Sequence, residues 1–184
     1  MKNLLILFLI IPTISFAQLR AGDFYVTDEG WVNWQKVYKD ESVSFEDLIN
    51  TIKGNRVFSD IQVFDDKITF LGDGIKTNPS ALGFSRMSTS FYALGDIRAY
   101  FTLDYKQGRY RITAVNIASK SPIIHLGNPM YTQDPETWQY LPVEESVGNG
   151  KGLKKVFIRK ESVIMGKAIE KEFQIMKQTT DDDW

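Results

Sequence analysis

Residues 97–117 read IRAYFTLDYKQGRYRITAVNI. Two runs of alternating apolar and polar residues flank Gln107-Gly108, which predicts a β-hairpin. If Gln107-Gly108 is a two-residue turn and Lys106 pairs with Arg109, then Tyr105 faces Tyr110, Leu103 faces Ile112 and Phe101 faces Ala114 on one side of the ribbon. On the other side Asp104 faces Arg111 and Thr102 faces Thr113. Each opposed pair is chemically compatible. A three-residue loop would set Leu103 against Arg111 and mix the two faces, so the side-chain period of two selects the register. Gln-Gly is a weaker turn signal than Asn-Gly and leaves the turn type open.

Outward from the hairpin, Trp31 to Lys39 (WVNWQKVYK) is rich in aromatic and β-branched residues and reads as a strand. Ser44 to Lys53 (SFEDLINTIK) reads as a helix, because Phe45, Leu48, Ile49 and Ile52 fall on one face of a 3.6-residue period. Ser44 suits the N-cap and Asp47 the reciprocal capping position. Gly54 suits a left-handed C-terminal cap. Ile61 to Phe64 and Lys67 to Leu71 read as a strand pair around Asp65-Asp66, and Gly72 to Gly95 as a turn-rich excursion. Ser121 to Gly152, with four prolines and the run Gly148-Asn149-Gly150-Lys151-Gly152, reads as a long loop. Ile158, Met165, Ile169, Phe173 and Met176 form a broken helical stripe, which predicts a helix over about 162–177. A few helices segregated from a mostly antiparallel meander predict an α+β two-layer sandwich with helices on one face of the sheet.

The chain has 184 residues, with Lys plus Arg 22, Asp plus Glu 23 and a formal net charge of -1. A near-neutral balance carries no electrostatic footprint for nucleic acid. There is no cysteine, so disulfides, thiolate nucleophiles and a cysteine-linked lipid anchor are excluded, and the single histidine, His125, excludes a multi-histidine metal cluster. Met1 to Ala17 (MKNLLILFLIIPTISFA) has a positive start, an apolar run from Leu4 to Ile11, a helix-breaking Pro12 and small residues at Ser15 and Ala17. That order is the layout of a secretory signal, and the run is too short to span a bilayer. The expected organisation is a leader over 1–17 cleaved after Ala17, a polar lead-in over 18–30, one domain over 31–178 and an acidic tail over 179–184. The expected location is a periplasm or the cell exterior, with no transmembrane segment.

Trp34-Gln35-Lys36-Val37-Tyr38 before a short helix, followed by Lys106-Gln107-Gly108-Arg109-Tyr110-Arg111, resembles a domain of unknown function with a TATA-binding-protein-like (TBP-like) fold, found in exported proteins of Bacteroidetes. Ser15-Phe16-Ala17-Gln18 is similar to the leader ends of that group. The resemblance covers about Trp31 to Ser119. It implies a strand-helix-multistrand-helix layout and no activity. The fold name does not imply DNA binding, because function sits in sites.

Motifs for catalysis are weak. Gly148 to Gly152 lacks the spacing of a phosphate loop and the hydroxyl after its lysine, and reads as a flexible connection. Asp65, Asp66 and Asp73 lack the ligand spacing and distal glutamate of a calcium loop and read as turn residues, while Asp181-Asp182-Asp183 would hold cations only loosely. His125 lies among apolar residues, and no G-x-S-x-G elbow offers it a serine. No cofactor or metal is called for. The remaining candidates are surfaces. Arg98, Tyr100, Asp104 and Arg111 share the hairpin face opposite the core with Thr102, Lys106, Arg109 and Thr113, and Tyr131, Trp138 and Tyr140 cluster in the long loop. Arginine and aromatic residues are enriched at contact hot spots. The expectation is an exported, non-catalytic binding or structural module of the cell envelope, holding a protein, peptide or glycan through the open face or the aromatic loop. The alternatives are a carboxylate-dependent hydrolase and a carrier of small apolar ligands.

Overall fold

A computed structural model describes residues 20–122, 138–148 and 152–174. The leader, Tyr131, His125, Met176 and the acidic tail lie outside the described residues, as do 149–151 of the glycine run.

The strands are β1 (Arg20–Ala21), β2 (Phe24–Val26), β3 (Val32–Lys39), β4 (Phe58–Val63), β5 (Lys67–Ile75), β6 (Ile97–Lys106), β7 (Arg109–Pro122) and β8 (Trp138–Pro142). All pair antiparallel, in the order β1-β2-β3-β7-β6-β5-β4. β8 pairs with residues 118–122 of β7, on the edge whose 109–114 stretch pairs with β3. The helices are α1 (Phe45–Gly54), α2 (Val143–Val147) and α3 (Ser162–Gln174), and they cover one face of the sheet.

The β6–β7 register is the one the face argument selects. Lys106 pairs with Arg109, Tyr105 with Tyr110, Asp104 with Arg111, Leu103 with Ile112 and Phe101 with Ala114. Leu103 and Ile112 are fully buried. Gly108 has φ of 77° while Gln107 stays at negative φ, so the turn is not the I′ type, which needs both central residues left-handed. Beyond the predicted stretch, the register shifts between Arg98 and Tyr100, and Asn116 on β7 sits at φ 50°. This bulge adds one residue to β7 and leaves Ile117 pointing into the core.

Phe58, Phe70, Phe101 and Phe173 join β4, β5, β6 and α3 in one aromatic cluster. Phe70 stacks on Phe101 at 5.3 Å between ring centroids, and Phe173 meets Phe101 edge-on at 5.5 Å. Such pairs add about 0.5–1.5 kcal/mol each beyond area burial. α1 starts as the sequence predicts: the Asp47 N–H donates to Ser44 Oγ at 3.2 Å and the Ser44 N–H donates to Asp47 Oδ2 at 3.0 Å. Its end differs. Gly54 is the last helical residue, and Asn55, at φ −86°, caps it and donates to Glu172 of α3. A tertiary bond replaces the predicted left-handed glycine.

Three further expectations are corrected. The lead-in over 18–30 contains β1 and β2, whose two and three residues are too short to show alternation; Phe24 is buried edge-on against Phe157 at 5.3 Å. The loop over 121–152 contains β8 and α2, and Val143 and Val147 join the core. The C-terminal helix begins before Ser162, because a π-helical turn over Phe157–Glu161 precedes α3. The wider turn shifts the phase, so Phe157 and Glu161 are buried while Ile158, assigned to the buried stripe, is exposed.

The excursion between β5 and β6 carries three single 3₁₀ turns, Ser80–Leu82, Arg86–Ser88 and Phe91–Ala93. It is fastened to the body at its end. A Cβ on Gly95 would lie 1.8 Å from the Lys120 carbonyl oxygen, and the Lys120 N–H donates to Asp96 at 2.8 Å. Only glycine allows this approach of two backbones.

Candidate binding face

The sheet face opposite the helices is built by strand alternation. On β6, Ile97, Ala99, Phe101 and Leu103 point into the core, so Arg98, Tyr100, Thr102 and Asp104 point out. On β7, Arg111 and Thr113 are their neighbours, and on β3 Gln35, Val37 and Lys39 continue the rows. The Gln35 amide donates to Thr113 Oγ1 at 3.1 Å. Tyr100 and Val37 keep 54% and 53% of their area in solvent, which makes them the apolar points of a polar face.

One end of the face is cationic. Lys39 pairs across strands with Arg109, and Arg109 with Lys106, placing three positive side chains in a row on β3, β7 and β6. None of the three has an ion pair with a described residue. Like charges directly opposite destabilise a sheet. In the next row Arg111 is neutralised by Asp104, donating from Nε at 3.1 Å and from Nη2 at 2.7 Å. A shallow cleft of about 270 Å³ lies here, lined by Val37, Asp104, Lys106, Arg109, Tyr110 and Arg111.

The other end is a clamp. Arg98 Nη2 donates to Asp73 Oδ2 at 2.5 Å, and its guanidinium lies 4.1 Å from the ring centroid of Tyr140. The Tyr140 hydroxyl donates to Asp73 Oδ1 at 2.6 Å. The Arg98 hydrogen bond holds the Asp73 carboxyl below the usual carboxylate range, with the Tyr140 bond adding to it. Burial, helped by the Asp73 bond, pushes the Tyr140 hydroxyl up to about 12. Tyr140 therefore reaches from β8 over β7 to residues on β6 and β5. Ala118, opposite Arg98 on β7, is small enough to be bridged.

The structure thus brings Arg98 and Tyr140, predicted on two separate surfaces, into one cluster. Tyr100 stays exposed, and Asp104 and Arg111 lie toward the cationic end. Trp138 is half-buried on β8 and its indole N–H has no partner among the described residues. Asp73 was weighed in sequence only as a turn acid beside Asp65 and Asp66. Those two stand at the β4–β5 turn, and no group of three or more metal-ligand side chains occurs among the described residues. The cationic row was missed in part, because the β3–β7 pairing that adds Lys39 is non-local. Alternation in Trp31 to Lys39 was the available signal.

Two other polar groups lie on the helical side. Lys36 Nζ donates to Glu170 at 2.7 Å and stands 3.5 Å from Asp23. Burial pushes the Glu170 carboxyl up, but hydrogen bonds from Lys167 and Lys36 outweigh it and leave a net downward shift. Glu161, fully buried in the π turn, accepts from the Ser90 N–H at 3.2 Å and from the Tyr92 hydroxyl, tying the excursion to the last helix.

No family model matches the chain, and no curated protein matches it. Among solved structures, a TBP-like protein from Parabacteroides distasonis aligns over 83% of this chain and 96% of its own, at 13% identity and a TM-score of 0.49. A DUF4468 family protein from Bacteroides ovatus aligns over 85% of each chain, at 15% identity and a TM-score of 0.43. Neither name states an activity. The first carries in its name the TBP-like fold that the sequence motifs resemble. Among the described residues no helix is long and apolar enough to cross a membrane.

Proposed function

We propose that this chain is an exported, non-catalytic module of the cell envelope that binds a protein, peptide or glycan through the open face of its sheet. The observation that carries this reading is the row Lys39–Arg109–Lys106. Three like charges aligned across neighbouring strands weaken the fold, and a ligand that neutralises them recovers that cost on binding. Exposed Tyr100 and the Arg98–Tyr140 stack supply hot-spot residue types on the same face. The leader-like start of the sequence supports export. The displaced carboxyls of Asp73 and Glu170 are both pushed down, the direction of ion-pair partners and the opposite of a general acid.

The test replaces Arg98, Tyr100, Arg109 and Arg111 together by Ala, which also breaks the row at its centre, and compares capture of envelope components by the immobilised proteins. The variant is expected to lose the parent's partner while its melting temperature stays within about 4 °C, because the removed ion pairs are surface ones. Undiminished capture by a folded variant overturns the reading.

A further inference from the structure

Away from the sheet face, two segments meet that together contain no acidic residue. Lys76 to Gly95 and Gly152 to Lys160 hold neither Asp nor Glu in a chain that has 23 of them. They touch through Lys160, whose ammonium donates to Ser88 Oγ at 2.9 Å and lies 5.8 Å from the Phe84 ring centroid. The buried Glu161 adds a second tie, to Ser90 and Tyr92. Arg86 lies on the first of these segments and Lys155 and Arg159 on the second, and none of the three has an ion pair to a described residue.

The same ground carries exposed apolar side chains. Met87, at the centre of the second 3₁₀ turn, keeps 99% of its area in solvent, and Phe91 keeps 46%. Val156, one turn before Lys160, is also exposed. A side chain as apolar as methionine, fully projecting on a short turn that is anchored at both ends, contributes nothing to the core. Basic side chains on both segments make the surroundings attractive to an anionic surface.

We infer that this patch is a peripheral membrane contact, with Met87 and Phe91 entering the interface of an anionic bilayer and Arg86, Lys155 and Arg159 lying against its headgroups. Apolar side chains among basic residues are the signature of interfacial binding without a span, and anionic lipid attracts each nearby Lys or Arg. The contact uses a different surface from the sheet face, so it stands or falls independently of the binding role proposed above.

The lack of cysteine makes a local test possible. Met87→Cys and, separately, Val37→Cys on the sheet face give full-length proteins with one thiol each, labelled with an environment-sensitive nitrobenzoxadiazole dye. Vesicles of equal parts phosphatidylglycerol and phosphatidylcholine are expected to blue-shift and brighten the label at 87 severalfold while leaving the label at 37 unchanged. The response is expected to vanish with pure phosphatidylcholine and at about 1 M salt, where screening reaches within a few ångströms. A local readout is needed because the apolar run Leu4 to Ile11 would partition by itself. A label at 87 that stays aqueous, labels at 87 and 37 that respond alike, or an equal response to neutral vesicles each overturn the inference.

Discussion

Asp73 accepts from Arg98 with one carboxylate oxygen and from Tyr140 with the other, so one side chain on β5 holds residues of β6 and β8. Its folded pKa is depressed. The folded protein therefore binds fewer protons than the unfolded chain in the acid range, and the contribution is present above the unfolded value of about 4 and lost as pH falls through the depressed folded value. Asp73→Asn removes that dependence. The urea midpoint of the parent is expected to fall more steeply than that of Asp73→Asn below about pH 4, and parallel pH profiles would show that the clamp has no energetic weight. The Tyr140 hydroxyl has the opposite sign. Its pKa is raised, so its contribution is present below about 10 and is lost as pH rises toward about 12.

The bulge in β7 does for a strand what the π turn does for the last helix: one added residue resets which side chains face the core. Asn116, at φ 50°, is that residue in β7. Asparagine tolerates left-handed backbone better than most residues, glycine tolerates it fully, and a β-branched residue does not. Asn116→Gly is expected to leave chemical-denaturation stability within about 0.5 kcal/mol of the parent. Asn116→Val is expected to cost about 1–2 kcal/mol. Equal stability of the two would show that the bulge is not held at this residue.

For the whole molecule, charge is segregated more than the net value of -1 suggests. The sheet face ends in a cationic row with no ion pair to a described residue, and the segments 76–95 and 152–160, which meet through Lys160, hold no Asp or Glu of their own. Arg109→Thr breaks the row at its centre and places a β-branched residue in a strand. It is expected to raise unfolding stability by a few tenths of a kcal/mol to about 1 while weakening capture of the partner on the open face. A drop in stability would mean that the row is neutralised within the chain and needs no ligand.

Local pattern sufficed wherever a residue's neighbours in sequence are also its neighbours in space. The hairpin register followed from Leu103, Ile112, Asp104 and Arg111, because a single slip would expose an entire apolar side. The start of α1 followed from Ser44 and Asp47, which bond within one turn. Those signals, with the period of two in β3, were enough for a sheet covered on one face. Tertiary structure alone decided the rest. β1, β2 and β8 are too short or too proline-flanked to show a period; β2 and β8 exist because β3 and β7 offer them paired edges, and β1 because β2 does. Asn55 caps α1 because Glu172 stands beside it. Arg98 joins Tyr140 and Asp73, and Lys39 joins Arg109, through pairings separated by tens of residues in sequence, which no local period encodes.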